Sequence, residues 1–394
     1  MQDVVIASAA RTPIGLYMGS LADLRSQDIA AISMKEAAAR SGFDSSEFDA
    51  CIYSEAKQSS FPANIGRHGW LLAGLAENPA GFTMNALCAG AIQTMISAFS
   101  KIVAGEYSAI MTGGIETNSQ AQYYLVHPRY KFGPENYCFH DSKVDVEINA
   151  QPADIYGELS ACTLADIVAA NYGFSRSALD EYAAASKAKA AAAIKAGLWK
   201  EAIAPFKKKV KKVEVEINAD DAAKAPGFEQ LMELAAANPN GTASTGNVAP
   251  LADGSASIAM LSADRARALG AKPLARVLGF GVAAGNPRLL ELATVKAIEK
   301  ALKMAGKSLD NIDFIELHEP SAAYALAVMS KLGSAAQKVN IDGGTLGYGH
   351  AGAATGGALV VNMVQRFQNG QGQLGLVNVG ALGGQSLTVI LEKI

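Results

Sequence analysis

KEAAARSGFDSSEFDACIYSE, residues 35–55, and EKALKMAGKSLDNIDFIELHE, residues 299–319, lie over one another without a gap. Gly42 then matches Gly306, Asp49 matches Asp313 and Glu55 matches Glu319. In each copy a helical run stops at a glycine, the residue best suited to a left-handed helix cap. A short acidic turn follows, and then an apolar run of the length of a buried strand. Repetition of one helix–turn–strand unit predicts an α/β chain of two pseudo-equivalent halves. Sites in such folds commonly sit where the C-terminal ends of strands from both halves meet.

Working outward, strand-like runs at 4–9 (VVIASA), 109–114 (AIMTGG), 314–319 (FIELHE) and 375–380 (GLVNVG) alternate with alanine-rich helical stretches. The alternation fits an α/β architecture. Residues 120–245 differ in character: a mixed stretch, PRYKFGPENYCFHDSKVDVEINAQP, precedes a long helix with scattered charges and a turn-rich close. We read 1–119 with 246–272 as the N-terminal half, 120–245 as an inserted loop domain and 273–394 as the C-terminal half. Insertions on such scaffolds often cover the active site.

The composition narrows the function. A formal net charge of −3 with 7% aromatic residues gives no ground for nucleic-acid binding. The basic run KKKVKK at 207–212 reads first as a solvated loop or strand edge, and second as a seat for an anionic ligand. No apolar segment reaches membrane-spanning length, and MQDVVIASAA lacks a signal peptide's basic start. Cys51, Cys88, Cys138 and Cys162 show neither metal nor CxxC spacing, which points to a reduced, cytoplasmic setting without a metal cofactor.

Three places could carry chemistry. Cys88, in TMNALCAGAIQTMISAF (83–99), stands between a strand end and an Ala/Gly-rich helix start. There the helix dipole would lower the thiol pKa and small neighbours would admit a substrate. A buried, inert core cysteine is the alternative. His350 lies among glycines and alanines just before another apolar helix, and His318–Glu319 closes a strand. Either histidine could be structural, yet both follow strands, as Cys88 does. Finally, Gly380–Ala381–Leu382–Gly383–Gly384 holds more small residues than a turn needs, as a backbone wall against a ligand would.

In order, ASAARTPIG, NALCAG, TGGIETNS, GNVAPLADG, HEPSAA, GGTLGYGHAGAATG and GALGGQS resemble the motifs of the thiolase superfamily across essentially the whole chain. That resemblance implies a five-layered αβαβα fold with a loop domain, and a homodimer or homotetramer. It implies acyl transfer from acyl-CoA substrates, with coenzyme A thioesters as substrate and no further cofactor. Cys88 aligns with the acylated nucleophile and His350 with the histidine that activates it. His318 replaces an asparagine that normally holds an oxyanion-hole water. The backbone N–H groups of Cys88 and Gly380 align with a second oxyanion hole. Ala249, Ala161, Cys162 and Gly383 fall at acyl-CoA contacts.

The resemblance also exposes an absence. The last motif ordinarily opens with a second cysteine, the acid/base for the α-proton, and Gly380 stands in its place. His318, Glu319 and Cys162 are the candidate substitutes. An alternative is a decarboxylating or otherwise non-standard condensing enzyme with a Cys-His-His set. A third is a non-catalytic binding or scaffold subunit working with a small partner protein.

Overall fold

In the computed structural model, residues 3–126, 138–221 and 227–394 are described. The central part of the mixed stretch (127–137) and residues 222–226 lie outside them.

The strands β1 (Val4–Arg11), β2 (Ala50–Ser54), β3 (Ala80–Met84), β4 (Ala109–Glu116) and β5 (Ala252–Ser262) come from the first half. The second half supplies β6 (Ala275–Ala284), β7 (Phe314–Leu317), β8 (Leu374–Ala381) and β9 (Gln385–Lys393). Their hydrogen-bonded order is β7-β8-β9-β6-β1-β5-β4-β2-β3. Outward from the β1–β6 junction the two sides match. Each runs through two antiparallel pairings and then a parallel one, β4 with β2 and β8 with β7. The junction is slight: Val5 faces Arg276 and Ile6 faces Ala275.

Both copies of the repeat fold alike. The helix α1 (Ser26–Ser41) ends at Gly42 with φ +79°, and its counterpart Leu290–Ala305 ends at Gly306 with φ +63°. The Asp49 carboxylate accepts from the N–H groups of Ser108 and Ala109, which begin β4. Asp313 accepts from those of Gln373 and Leu374, which begin β8. One carboxylate per half thus ties each repeat strand to its parallel neighbour.

Helices complete the layers. α2 (Gly90–Val103) and a late helix, Thr355–Gln368, lie between the sheets of the two halves. Thr355–Phe367 is buried throughout. The apolar cluster around these two helices draws Ile52, Ile92 and Met260 from the first half and Val364, Val377 and Val389 from the second. α1 packs on the outer face of the first sheet, and Leu290–Ala305 on that of the second. The stack is therefore five-layered αβαβα. Each fully buried aliphatic side chain contributes about 1.5–3 kcal/mol through removal from water.

Between β4 and β5 runs a segment carrying α3 (Ala161–Tyr172) and α4 (Arg176–Lys195). The basic run forms part of an exposed hairpin, Phe206–Val210 with Val213–Ile217, where Lys207 pairs with Glu214. The buried Arg11 guanidinium holds Asp220 through bonds of 2.7 and 2.9 Å, fastening the segment's later part to β1. We number the remaining helices α5 (Leu290–Ala305), α6 (Ala322–Met329) and α7 (Thr355–Gln368).

Candidate active site

Segments of both halves converge on one cavity of about 440 Å³, lined among others by Cys88, His318, His350, Gly380 and Leu382. β3 ends at Met84. The chain then turns sharply through Leu87, whose φ of +50° is unusual for a branched side chain. The Asn85 carboxamide oxygen accepts from the Leu87 N–H at 2.9 Å and holds that turn. Cys88 emerges in a single 3₁₀ turn before α2, partly open to the cavity.

His350 is fixed from both ends. Its N–H donates to Pro250 at 2.7 Å, and its carbonyl accepts from Ala252 at 3.0 Å. The neighbouring Gly352 has φ +43°, and a Cβ there would overlap the Glu116 carboxylate. Glycine lets that buried carboxylate accept the Ala353 N–H at 3.1 Å. The imidazole places Nε2 3.1 Å from Cys88 Sγ and Nδ1 2.8 Å from Thr355 Oγ1. With the thiol donating to Nε2, the Nδ1 proton is given to Thr355.

The thiol pKa differs from the expectation. Burial pushes it up to about 12, opposed by the Lys57 ammonium and the Leu382 N–H. The His350 pKa is driven well below its usual value by burial and by His318 and Lys57 beside it. Desolvation outweighs the helix terminus because Cys88 precedes α2 proper in a site walled by apolar groups. The resting pair is a neutral thiol hydrogen-bonded to a neutral imidazole.

His318 follows β7, and its ring lies over that of His350, with centroids 4.5 Å apart and planes inclined by 30°. Its Nδ1 is 2.9 Å from the Gly380 carbonyl oxygen. A carbonyl only accepts, so Nδ1 carries the proton and Nε2 a lone pair. That Nε2 is buried without a hydrogen-bond partner, and burial lowers the His318 pKa to about 4. In this state His318 cannot itself donate to an oxyanion.

Three expectations need correction. Gly380 was expected to offer its N–H to the thioester oxygen. It lies within β8 opposite Ser386 and offers its carbonyl to His318, and the backbone N–H that lowers the Cys88 thiol pKa belongs to Leu382 in the following turn. Gly383, expected at the acyl-CoA, has φ +77°, and a Cβ there would come 2.9 Å from the Ala150 carbonyl oxygen. It seats the inserted segment and is not part of the cavity wall. Glu319, a candidate base, is fully buried with its carboxylate already engaged. Tyr182 and Ser186 hydroxyls donate at 2.7 and 2.8 Å, Asn340 Nδ2 at 2.7 Å and the Leu346 N–H at 3.2 Å.

Ala161, Cys162 and Ala249 do line the cavity. The Cys162 thiol pKa is raised by burial and by Glu147 and Asp166, so it is no ready thiolate. Tyr324, Leu382 and Lys57 also face the cavity, none of them assigned a role from the sequence. Lys57 Nζ stands 3.5 Å from Glu116 Oε1, both nearly buried. Lys57, two residues after the Glu55 of the repeat, was the one available signal. Among the described residues no group of three or more His, Cys, Asp or Glu is placed to hold a metal ion, and no helix is long and apolar enough to cross a membrane.

Residues 4–264 match the family model of the thiolase N-terminal domain, and residues 271–393 that of the thiolase C-terminal domain. The chain belongs to the thiolase family. The acetyl-CoA acetyltransferase of Escherichia coli K12 is 33% identical to this thiolase, with 100% of both chains covered. A probable acetyl-CoA acyltransferase of Staphylococcus aureus COL is 31% identical over the same shares. Among solved structures, Bacillus anthracis acetyl-CoA acetyltransferase superposes with a TM-score of 0.95 at 29% identity, covering 100% of this chain and 99% of that one. Human mitochondrial 3-ketoacyl-CoA thiolase follows at 0.93 and 28%, with the same coverage. Family membership places the thiolase among the acyltransferases.

Proposed function

We propose that the protein is an acyl-CoA C-acyltransferase that works through an acyl-Cys88 thioester. It cleaves a 3-ketoacyl-CoA with free CoA or runs the reverse Claisen condensation. One observation carries this reading: Cys88 Sγ and His350 Nε2 stand 3.1 Å apart in the cavity where strand ends of both halves meet. As the sulfur attacks the substrate carbonyl, its proton passes to Nε2, so no free thiolate has to persist at rest. The Leu382 N–H, which lowers the Cys88 thiol pKa, serves as a donor to the charge that develops on the thioester oxygen. A donor of this kind is typically worth about 3–4 kcal/mol in the transition state.

Glycine at position 380 makes the protein a variant without the family's second cysteine. Acyl transfer onto Cys88 does not depend on that group, whereas removal of an α-proton does. The decarboxylating reading asks two histidines to donate hydrogen bonds to an enolate. The bare Nε2 of His318 weighs against it. Lining by Ala161, Cys162 and Ala249 supports an acyl-CoA occupant, and the fold supports a homodimer or homotetramer.

Intact mass spectrometry after exposure to acetyl-CoA and to acetoacetyl-CoA tests the reading, with acetoacetyl-CoA consumption followed in the presence of free CoA. The expected result is one acetyl group on the wild-type protein, cleavage at a measurable rate, and loss of both in Cys88→Ala. An adduct without cleavage would replace the thiolase reading with a non-standard acyltransferase. No adduct with these or longer acyl-CoAs would leave a non-catalytic subunit.

A further inference from the structure

The absence of a second cysteine leaves open which group handles the α-proton of the acyl-CoA. The geometry points to His318: its Nε2 is the acid/base for that proton, held in the accepting state by the Gly380 carbonyl. This assignment rests on the acyl-Cys88 reading and adds a catalytic residue to it.

The surroundings of the cavity leave few other acceptors. Glu319 directs its carboxylate away and spends it on Tyr182, Ser186, Asn340 and Leu346. Tyr324 Oη lies 2.5 Å from Thr294 Oγ1, which in turn bonds Ser386 at 3.0 Å, so the phenol is engaged. His350 Nε2 is committed to Cys88. His318 Nε2 alone among these is a buried lone pair without a partner, and it belongs to a ring that lines the cavity. An unsatisfied acceptor in such a place is costly, and a bound substrate hydrogen would relieve the penalty. Burial, which keeps His318 unprotonated near neutral pH, agrees with the assignment.

The Gly380 carbonyl gives the arrangement its logic. Were Nδ1 to face a donor, Nε2 would carry the proton and could only donate. Facing a carbonyl, Nδ1 keeps its hydrogen in both protonation states, and only Nε2 gains and loses one.

The proton balance closes without any further reagent. In condensation, Nε2 takes a proton from C2 of the incoming acyl-CoA, and the C2 electron pair attacks the carbonyl carbon of acyl-Cys88. The new C–C bond forms, the C–S bond breaks, and the departing Cys88 sulfur recovers a proton as His318 returns to neutral. In cleavage the same steps run in reverse: the Cys88 proton passes to His350 Nε2 as sulfur adds to C3, the C2–C3 bond breaks, and C2 takes the proton carried by His318 Nε2, which His350 replaces as it returns to neutral.

Deuterium incorporation into the acetyl group of acetyl-CoA in D2O reads this step separately from acylation. Wild-type protein should exchange the acetyl hydrogens and also carry acetyl-Cys88. His318→Ala and His318→Asn should both slow exchange by ~100-fold or more, yet still acetylate Cys88, which shows that the site is folded. Exchange unchanged to within a few-fold in both variants would overturn the assignment. So would a wild type that acylates without exchanging, or variants that lose acylation itself. Exchange that depends on His318 in a protein never acylated on Cys88 would instead overturn the acyl-transfer reading alone.

Discussion

A Cβ built on Gly380 would overlap Tyr324 Oη and stand 3.2 Å from Leu290 Cδ2. The phenol therefore occupies the room that a side chain at 380 would need, and Thr294 holds it there. Gly380→Cys should accordingly destabilise the protein by about 1–3 kcal/mol through overpacking. Paired with Tyr324→Leu, it should cost clearly less than the sum of the two single changes, as expected of residues sharing one space. Urea unfolding of the four proteins measures this, and strict additivity would refute the shared-space account. His318 yields a second prediction at this scale. Its pKa is about 4 in the folded protein against an ordinary 6.5. The unfolded chain thus binds the proton more readily, so the stability contribution is complete above pH 6.5 and is lost as pH falls toward 4. Between pH 7 and pH 5 the loss amounts to about 2 kcal/mol. His318→Asn should lose that much less over the same interval in urea melts, and equal losses would mean that the imidazole is not desolvated.

At the scale of the element, the repeated helix–turn–strand was legible because its determinants are local. A glycine that adopts positive φ, an acidic turn and an apolar run all act within the 21 residues compared. Even the equivalence of Asp49 and Asp313 could be read, and each caps the strand beside its own. Cys88 and His350 stood out for a similar reason: each stands among small residues just before an apolar helix, although His350 follows the short helix Thr345–Tyr348 and not the expected strand. What could not be read depends on partners remote in sequence. Glu319 looked like a free carboxylate at a strand end, but Tyr182 and Ser186 of α4 reach it from more than 130 positions away. The tautomer of His318 is set by a carbonyl 62 residues later. The backbone N–H that acts on the Cys88 thiol is that of Leu382 rather than Gly380, because the chain stays in the β8 pairing until Ala381. The thiol pKa went the other way from expectation because position before a helix is visible in sequence, while the depth of burial is not.

Taken as a whole, the molecule is two matching halves that share one central layer. The pairing of β1 with β6 is short, so the sheets alone join the halves weakly. The stronger tie is α2 and α7, whose side chains enter a single apolar cluster with strands from both halves. Apart from Gln368, every residue of α7 is buried. That helix is covered on one side by its own sheet and on the other by α2 and β5 of the first half. Separated from the first half, the second would expose α7 along its length, and the first would lose the cover over Ile92 and Ala256. Each half keeps an outer apolar cluster of its own, but neither has a complete core without the shared layer, even though the repeat gives each the look of a domain. The full chain should unfold in one calorimetric transition, with equal calorimetric and van't Hoff enthalpies. Fragments 1–270 and 271–394, prepared separately, should show no cooperative melt. The prediction would be overturned by a cooperative transition in either fragment, or by two resolved transitions in the intact chain. Such a result would also detach the catalytic pair from the fold's symmetry, since Cys88 comes from one half and His350 from the other, and their 3.1 Å contact exists only while the shared layer holds.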